Sequence, residues 1–310
     1  MLARAADAMF WLARYMERVD SLARLVEAAQ TMAGVSTEAD EWRSAVLAAG
    51  CEEDFYAKHE VATAETAALF MGADRDNPSS IVSCLDRARS NARAMRTSLT
   101  RDMWDAVNES WLEARGLTDA SFRQSRLAET LDWLRTVSMR FIGAYSTTML
   151  RNEVYWFTRL GTFIERADNT ARILDVKYHV LLPSDADVGG AIDYYQWTSI
   201  LRAVSAVRAY QWVYRGEVTP WNVAELLILR PEMPRSLRRC YAEINESLDL
   251  LADAHGGKRG ECHRRAGALE GQLRYGRIND IFQAGLHEFL TDMIDRTAEL
   301  GQEVGAFYMR

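Results

Sequence analysis

The chain has 310 residues, of which 48% are hydrophobic, 26% charged and 10% aromatic, a mixture that excludes a disordered or collagen-like polypeptide. Only 18 glycines and 5 prolines are present, fewer than an all-β protein of this length would use in its turns. The net charge of −7 argues against recruitment by nucleic acid or by an anionic membrane.

In chain order, nearly every segment has helical period. Ala3 to Ala33 lacks Gly and Pro. At 100° per residue, Leu12, Tyr15, Met16, Val19, Leu22, Ala23 and Val26 fall on one side of it. Arg14, Glu17, Arg18, Asp20, Ser21 and Arg24 fall on the other, so the segment reads as a long amphipathic helix. Further helices are expected at roughly 37–49, 55–70, 79–98, 101–116, 121–145, 149–178, 193–214, 235–254, 260–276 and 279–308, with a short segment from Trp221 to Leu229. Breaks fall at Gly72–Pro78, at the loop-like Leu182–Gly190, at Gly216–Pro220, at Arg230–Pro234 and at His255–Lys258. None resembles a long linker. The expectation is an all-α fold, a large helical bundle spanning 1–310.

The strongest feature is internal similarity. Glu17-Arg18-Val19-Asp20-Ser21-Leu22-Ala23-Arg24 and Glu165-Arg166-Ala167-Asp168-Asn169-Thr170-Ala171-Arg172 both fit E-R-x-D-x-x-A-R, 148 residues apart (165 − 17). A degenerate third copy runs from Asp86 through Arg87 to Arg93. Pro78-Ser79-Ser80-Ile81, with Cys84, matches Pro234-Arg235-Ser236-Leu237, with Cys240, at a shift of 156 (234 − 78). Two pseudo-repeated helical halves, about 1–148 and 149–310, would explain both. The chain is rich in arginine, with three lysines among 37 basic residues. That bias makes A-R and E-R pairs common, yet it does not account for the shared helical phase.

Three readings of the motif stay open. Asp20–Arg24 and Asp168–Arg172 are i,i+4 pairs that a solvated helix face would carry, each stabilising by about 0.3–0.5 kcal/mol. Alternatively, facing copies cross-pair Glu17 with Arg166 or Arg172, and Glu165 with Arg18 or Arg24, as a buried network. In the third reading the helices line a cleft. Arg14, Arg18, Arg24, Arg166 and Arg172, with Asp168, would then bind an anionic substrate, and Glu17 and Glu165 would act as general acid or base. Asp20, Arg87, Arg93, His287 and Glu288 are further candidates.

Other chemistry is sparse. No Glu-x-x-His pair, GxGxxG, Walker A, G-x-S-x-G or HExxH occurs, and Cys262-His263 and His287-Glu288 are adjacent pairs that do not share a helix face. No metal site is expected. Cys51, Cys84, Cys240 and Cys262 form no CxxC, so a disulfide framework is not expected. The charged start, Met1-Leu2-Ala3-Arg4-Ala5-Ala6-Asp7, does not read as a signal peptide, and no run of about 18 apolar residues occurs. A cytoplasmic chain with reduced thiols and no membrane partner is expected.

Trp11-Leu12-Ala13-Arg14-Tyr15-Met16-Glu17-Arg18, the stretch Leu160–Leu174, Asn77-Pro78-Ser79-Ser80, Pro234-Arg235-Ser236-Leu237 and Gly285-Leu286-His287-Glu288-Phe289 together resemble the bacterial alpha-E domain family, over essentially the whole chain. Two positions depart from that pattern: Thr162 stands where a basic residue matching Arg14 is expected, and Ala13 where Gly is expected. The resemblance does not require the two halves to be equivalent. It implies genomic company with an ATP-grasp ligase-like protein and a transglutaminase-like protein. ATP and Mg are then expected at that partner, with no cofactor in this chain. Two functions follow as expectations. In the first, the chain is a component of an ATP-grasp-linked peptide- or amide-forming system that binds a peptide or small carboxylate in a Glu/Arg-lined cleft. In the second, it is a non-catalytic helical adaptor of the ligase, with the Glu/Arg repeats as structural staples.

Overall fold

The computed structural model describes residues 3–32, 38–180 and 191–309. The loop read at Leu182–Gly190 lies outside them. The described residues form fifteen α-helices and one 3-10 turn, with no strand among them, in agreement with the all-α expectation. The first seven helices are α1 (Ala3–Met32), α2 (Glu38–Ala48), α3 (Glu52–Tyr56), α4 (Ala64–Gly72), α5 (Ile81–Ala94), α6 (Arg101–Ala114) and, after the 3-10 turn Asp119–Phe122, α7 (Gln124–Thr148). There follow α8 (Glu153–Val180), α9 (Ala191–Ala203), α10 (Val207–Tyr214), α11 (Pro220–Ile228), α12 (Leu237–Ala254), α13 (Glu261–Tyr275), α14 (Ile278–Ala284) and α15 (Leu286–Tyr308).

Helix starts follow capping chemistry. The hydroxyls of Thr63, Ser80, Thr100, Thr219 and Ser236 each accept the backbone N–H three residues on, opening α4, α5, α6, α11 and α12. Pro220 sits in the first turn of α11, where its missing N–H costs nothing. Thr63 and Thr219 cap helices of equal length whose cap, first and last residues are all shifted by 156 (219 − 63, 220 − 64, 228 − 72). Ser80 and Ser236 have the same shift (236 − 80).

Three expected helices prove to be interrupted. The 55–70 segment breaks after Tyr56, because Thr63 and Thr66 bond reciprocally and start α4 afresh. The 193–214 segment breaks at Ser205, which takes a left-handed conformation (φ 55°) between α9 and α10. The 279–308 segment breaks at Gly285, whose φ of 102° suits glycine.

Helices α1 and α8 form the centre. Helix α1 packs chiefly on α8, α5 and α7, and α8 on α1, α12 and α15. Phe10, Leu12, Met16, Val19 and Val26 of α1 join Leu160, Ile164, Ala167 and Ala171 of α8 in one apolar cluster. The pairs Arg14–Glu165, Glu17–Arg166 and Ser21–Asn169 keep nearly constant sequence separation (151, 149 and 148), so the two helices run in the same direction. The polar face of α1 therefore meets α8 rather than water: Glu17, Asp20 and Ser21 are 4%, 3% and 2% exposed.

Gly161 makes this approach possible. A Cβ there would lie 2.2 Å from the carbonyl oxygen of Phe10, a backbone atom of α1. Gly161→Ala is expected to lower stability by about 1–3 kcal/mol through forced separation of the helices. Gly143→Ala in α7, where a Cβ meets nothing within 4 Å, is expected to raise it by about 0.5–1 kcal/mol. Urea unfolding of the two variants checks both signs.

Candidate functional site: a buried glutamate–arginine ladder

The two E-R-x-D-x-x-A-R segments face each other across the α1–α8 contact. Glu165 receives Arg14 Nε on Oε2 at 2.7 Å and Arg18 Nε on Oε1 at 2.6 Å. Glu17 receives Arg166 as a fork, Nε to Oε1 and Nη2 to Oε2, both at 2.8 Å. Arg235, just before α12, also donates Nη1 to Glu17 Oε1 at 3.0 Å and reaches Asp20 with its other amine. Arg24 donates Nε to Asp20 at 2.7 Å, and Arg172 donates Nε to Asp168 at 2.8 Å. At the next turn Asn169 donates its amide to Ser21 Oγ at 2.9 Å. Each glutamate is thus held by two guanidiniums, and both are nearly fully buried, Glu165 at 2% exposure.

Desolvation and charge pairing oppose each other here. Burial pushes the Glu165 carboxyl up, but the guanidiniums of Arg18 and Arg14 outweigh it and bring the group down to about 2. Burial likewise opposes Arg166 and Arg235 at Glu17, and Arg235 and Arg24 at Asp20; the arginines win, and both carboxyls fall below their ordinary values. Asp168 goes the other way. Burial raises it, and Arg172, with a smaller contribution from Arg14, compensates only in part, although 18% of its side chain still meets solvent.

The two motif copies differ in where the second arginine comes from. Arg14 lies one turn before Glu17-Arg18, and the matching position in α8 is Thr162, which bonds only its own helix at Thr158 O, at 3.0 Å. Arg235 supplies the missing guanidinium from the loop before α12. At the place matching Arg235 before α5 stands Ser79, whose hydroxyl accepts Arg18 Nη1 at 3.1 Å. Arg235 was not among the sequence candidates. Its signal was present in the Pro-x-Ser match, where Ser79 and Arg235 occupy the variable position.

Of the candidates, Glu17, Glu165, Arg14, Arg18, Arg166, Asp20 and Arg24 are gathered in this ladder, with Asp168 and Arg172 at its edge. The others lie elsewhere. Arg87 and Arg93 are exposed on α5, Arg87 with its guanidinium 5.8 Å from the Tyr15 ring centre. His287 pairs through Nδ1 with Asp175 at 2.6 Å, two turns beyond Asp168 along α8. Glu288 is exposed, folded back toward Gly285 at the start of α15. The four thiols are free and buried, and burial pushes Cys84 and Cys240 up to about 12, which leaves both unreactive. Among the described residues no group of three or more His, Cys, Asp and Glu could hold a metal ion. No helix among them is long and apolar enough to cross a membrane.

An all-helical fold centred on paired Glu-Arg dipeptides defines the class. The chain belongs to the alpha-E family, described as a predicted alpha-helical domain with a conserved ER motif, which matches residues 1–309. The chain's two Glu-Arg dipeptides, Glu17-Arg18 and Glu165-Arg166, are the ones that cross-pair. Uncharacterized proteins of Mycobacterium bovis and Mycobacterium tuberculosis are each 22% identical to it over 334 residues. The chain is covered to 94% but spans only 36% of the length of those curated relatives. No solved structure matches it.

Glu165→Gln is expected to cost about 3–5 kcal/mol at neutral pH, since it leaves two guanidiniums without their counter-charge. The acid dependence has a definite sign. The folded carboxyl lies below the ordinary 4.5, so its contribution is complete above 4.5 and is lost as pH falls toward about 2. Urea midpoints of wild type should fall steeply across that window, and those of Glu165→Gln less so.

Proposed function

We propose that the chain is a helical partner module for an ATP-grasp ligase-like protein, with the Glu/Arg repeats serving as internal staples rather than as a reacting centre. The observation that carries this reading is the saturation of both glutamates by arginine. A general base works best with a pKa near the operating pH. Glu165 is held at about 2 and Glu17 is also depressed, so both are poor proton acceptors at neutral pH. Neither lines the cavities around Arg24, Ala45 or Arg264.

The partner class rests on the family resemblance. The length of the curated relatives is compatible with it, since they join the similar region to further polypeptide. In this reading the ligase carries ATP and Mg and activates a carboxyl. The alpha-E module then holds the ligase, or the peptide or small carboxylate, in place for amide formation, and a transglutaminase-like protein acts on the same peptide. A duplicated helical half accounts for the shared shifts of caps and motifs, and the ladder locks the two halves in register.

The test is reconstitution with the neighbouring ATP-grasp protein, reading ADP release and peptide mass change. Glu17→Gln and Glu165→Gln should lose activity only in proportion to the protein that unfolds. A Glu165→Gln protein with wild-type circular dichroism and complex formation but no turnover would place the glutamate in the chemistry and refute the staple.

A further inference from the structure

A second cluster of arginines lies outside the ladder, where α1, α7, α9 and α10 meet. A cavity of about 290 Å³ there is lined by Arg24 and Glu27 of α1, Arg135 of α7, Arg202 of α9, and Ser205 and Arg208 at the α9–α10 turn. Its size suits a small ligand. Four guanidiniums face it against the single carboxylate of Glu27. That carboxylate is already paired with Arg135, and Arg24 is held by Asp20. Arg202 and Arg208 have no carboxylate partner among the described residues. Two positive charges therefore line the cavity without a carboxylate partner among the described residues.

The turn is also built for a fixed geometry. Ser205 is one of two non-glycine residues with positive φ among those described, a conformation that costs a serine energy. It places the Ser205 hydroxyl against Arg24 Nη1, which donates to it. Immediately after it begins α10, whose N-cap, Ala206, offers no side-chain cap. Val207 and Arg208, the first two residues of that helix, line the same cavity, so its uncapped first-turn N–H groups add to the positive field.

We propose that this cavity binds the phosphoryl group of a small phosphorylated ligand. A dianion neutralises both unpaired guanidiniums at once, which a single carboxylate does not. Arginine forks and a hydroxyl match the tetrahedral acceptor set of a phosphoryl group. The site takes only Arg24 from the ladder and does not depend on the identity of any protein partner.

The test uses the full chain, with inorganic phosphate and phenyl phosphate as probes, and acetate and chloride as controls at matched ionic strength. Calorimetry and thermal melting should show phosphate binding and a rise in Tm that chloride and acetate do not give. Affinity should strengthen as pH rises from about 6 to about 8, as the second phosphate proton leaves. Arg202→Gln/Arg208→Gln should keep the ligand-free Tm, since both side chains are exposed, and bind about tenfold or more weakly. If the double variant melts lower, the single variants read the same constant. Tighter binding of phenyl phosphate than of inorganic phosphate assigns a monoester; the reverse assigns free phosphate. No shift beyond chloride, an equal shift with acetate, or unchanged binding in the arginine variants overturns the proposal.

Discussion

Two glutamates at the centre of a helical protein are tenable only if arginines reach them from neighbouring segments. Taking one carboxylate out of water costs several kcal/mol even after relaxation. Glu17 and Glu165 are both nearly fully buried, so the fold must deliver at least one guanidinium, and here delivers two, to each. That need shapes the surroundings. It requires α1 and α8 to lie parallel and in register. It requires Gly161 at the closest approach. It also brings the turn before α12 against α1, with Arg235 bonded to Glu17 and the Thr170 hydroxyl of α8 bonded to the carbonyl of Arg235.

The arrangement is symmetric in outline and asymmetric in charge. Glu165 is served from α1 alone, by Arg14 and Arg18. Glu17 is served by Arg166 from α8 and by Arg235 from a loop. Because Arg235 also reaches Asp20, the first copy's aspartate has two cationic partners and is depressed, whereas Asp168 has one and is raised. Two exchanges, Arg14 against Thr162 and Ser79 against Arg235, thus redistribute charge along the ladder.

Much of this was legible in the sequence. Helical period gave α1, α6, α7, α8, α12 and α13 within a few residues, because long amphipathic segments without Pro leave little alternative. The pairing of facing motif copies was one of three readings that Glu and Arg at matching phase left open, because both faces of α1 are buried and composition could not say which way the polar one turned. The choice of Arg166 over Arg172 for Glu17 depends on the parallel register, which is a tertiary property. The break at Ser205 carries no Gly or Pro signal, and Gly285 stood inside the helix expected at 279–308, although its positive φ separates α14 from α15. Arg235 was missed because the sequence reading placed it at the start of a helix, whereas it acts from the turn before α12, and only the Pro-x-Ser match pointed to it.

The ladder is one coupled network in which Arg235 replaces the arginine absent at Thr162. The most direct measurement is a double-mutant cycle of Glu17→Gln and Arg235→Gln by urea unfolding. A coupling of about 1 kcal/mol or more is expected, because each partner loses much of its value without the other. Effects that add within about 0.5 kcal/mol would contradict it.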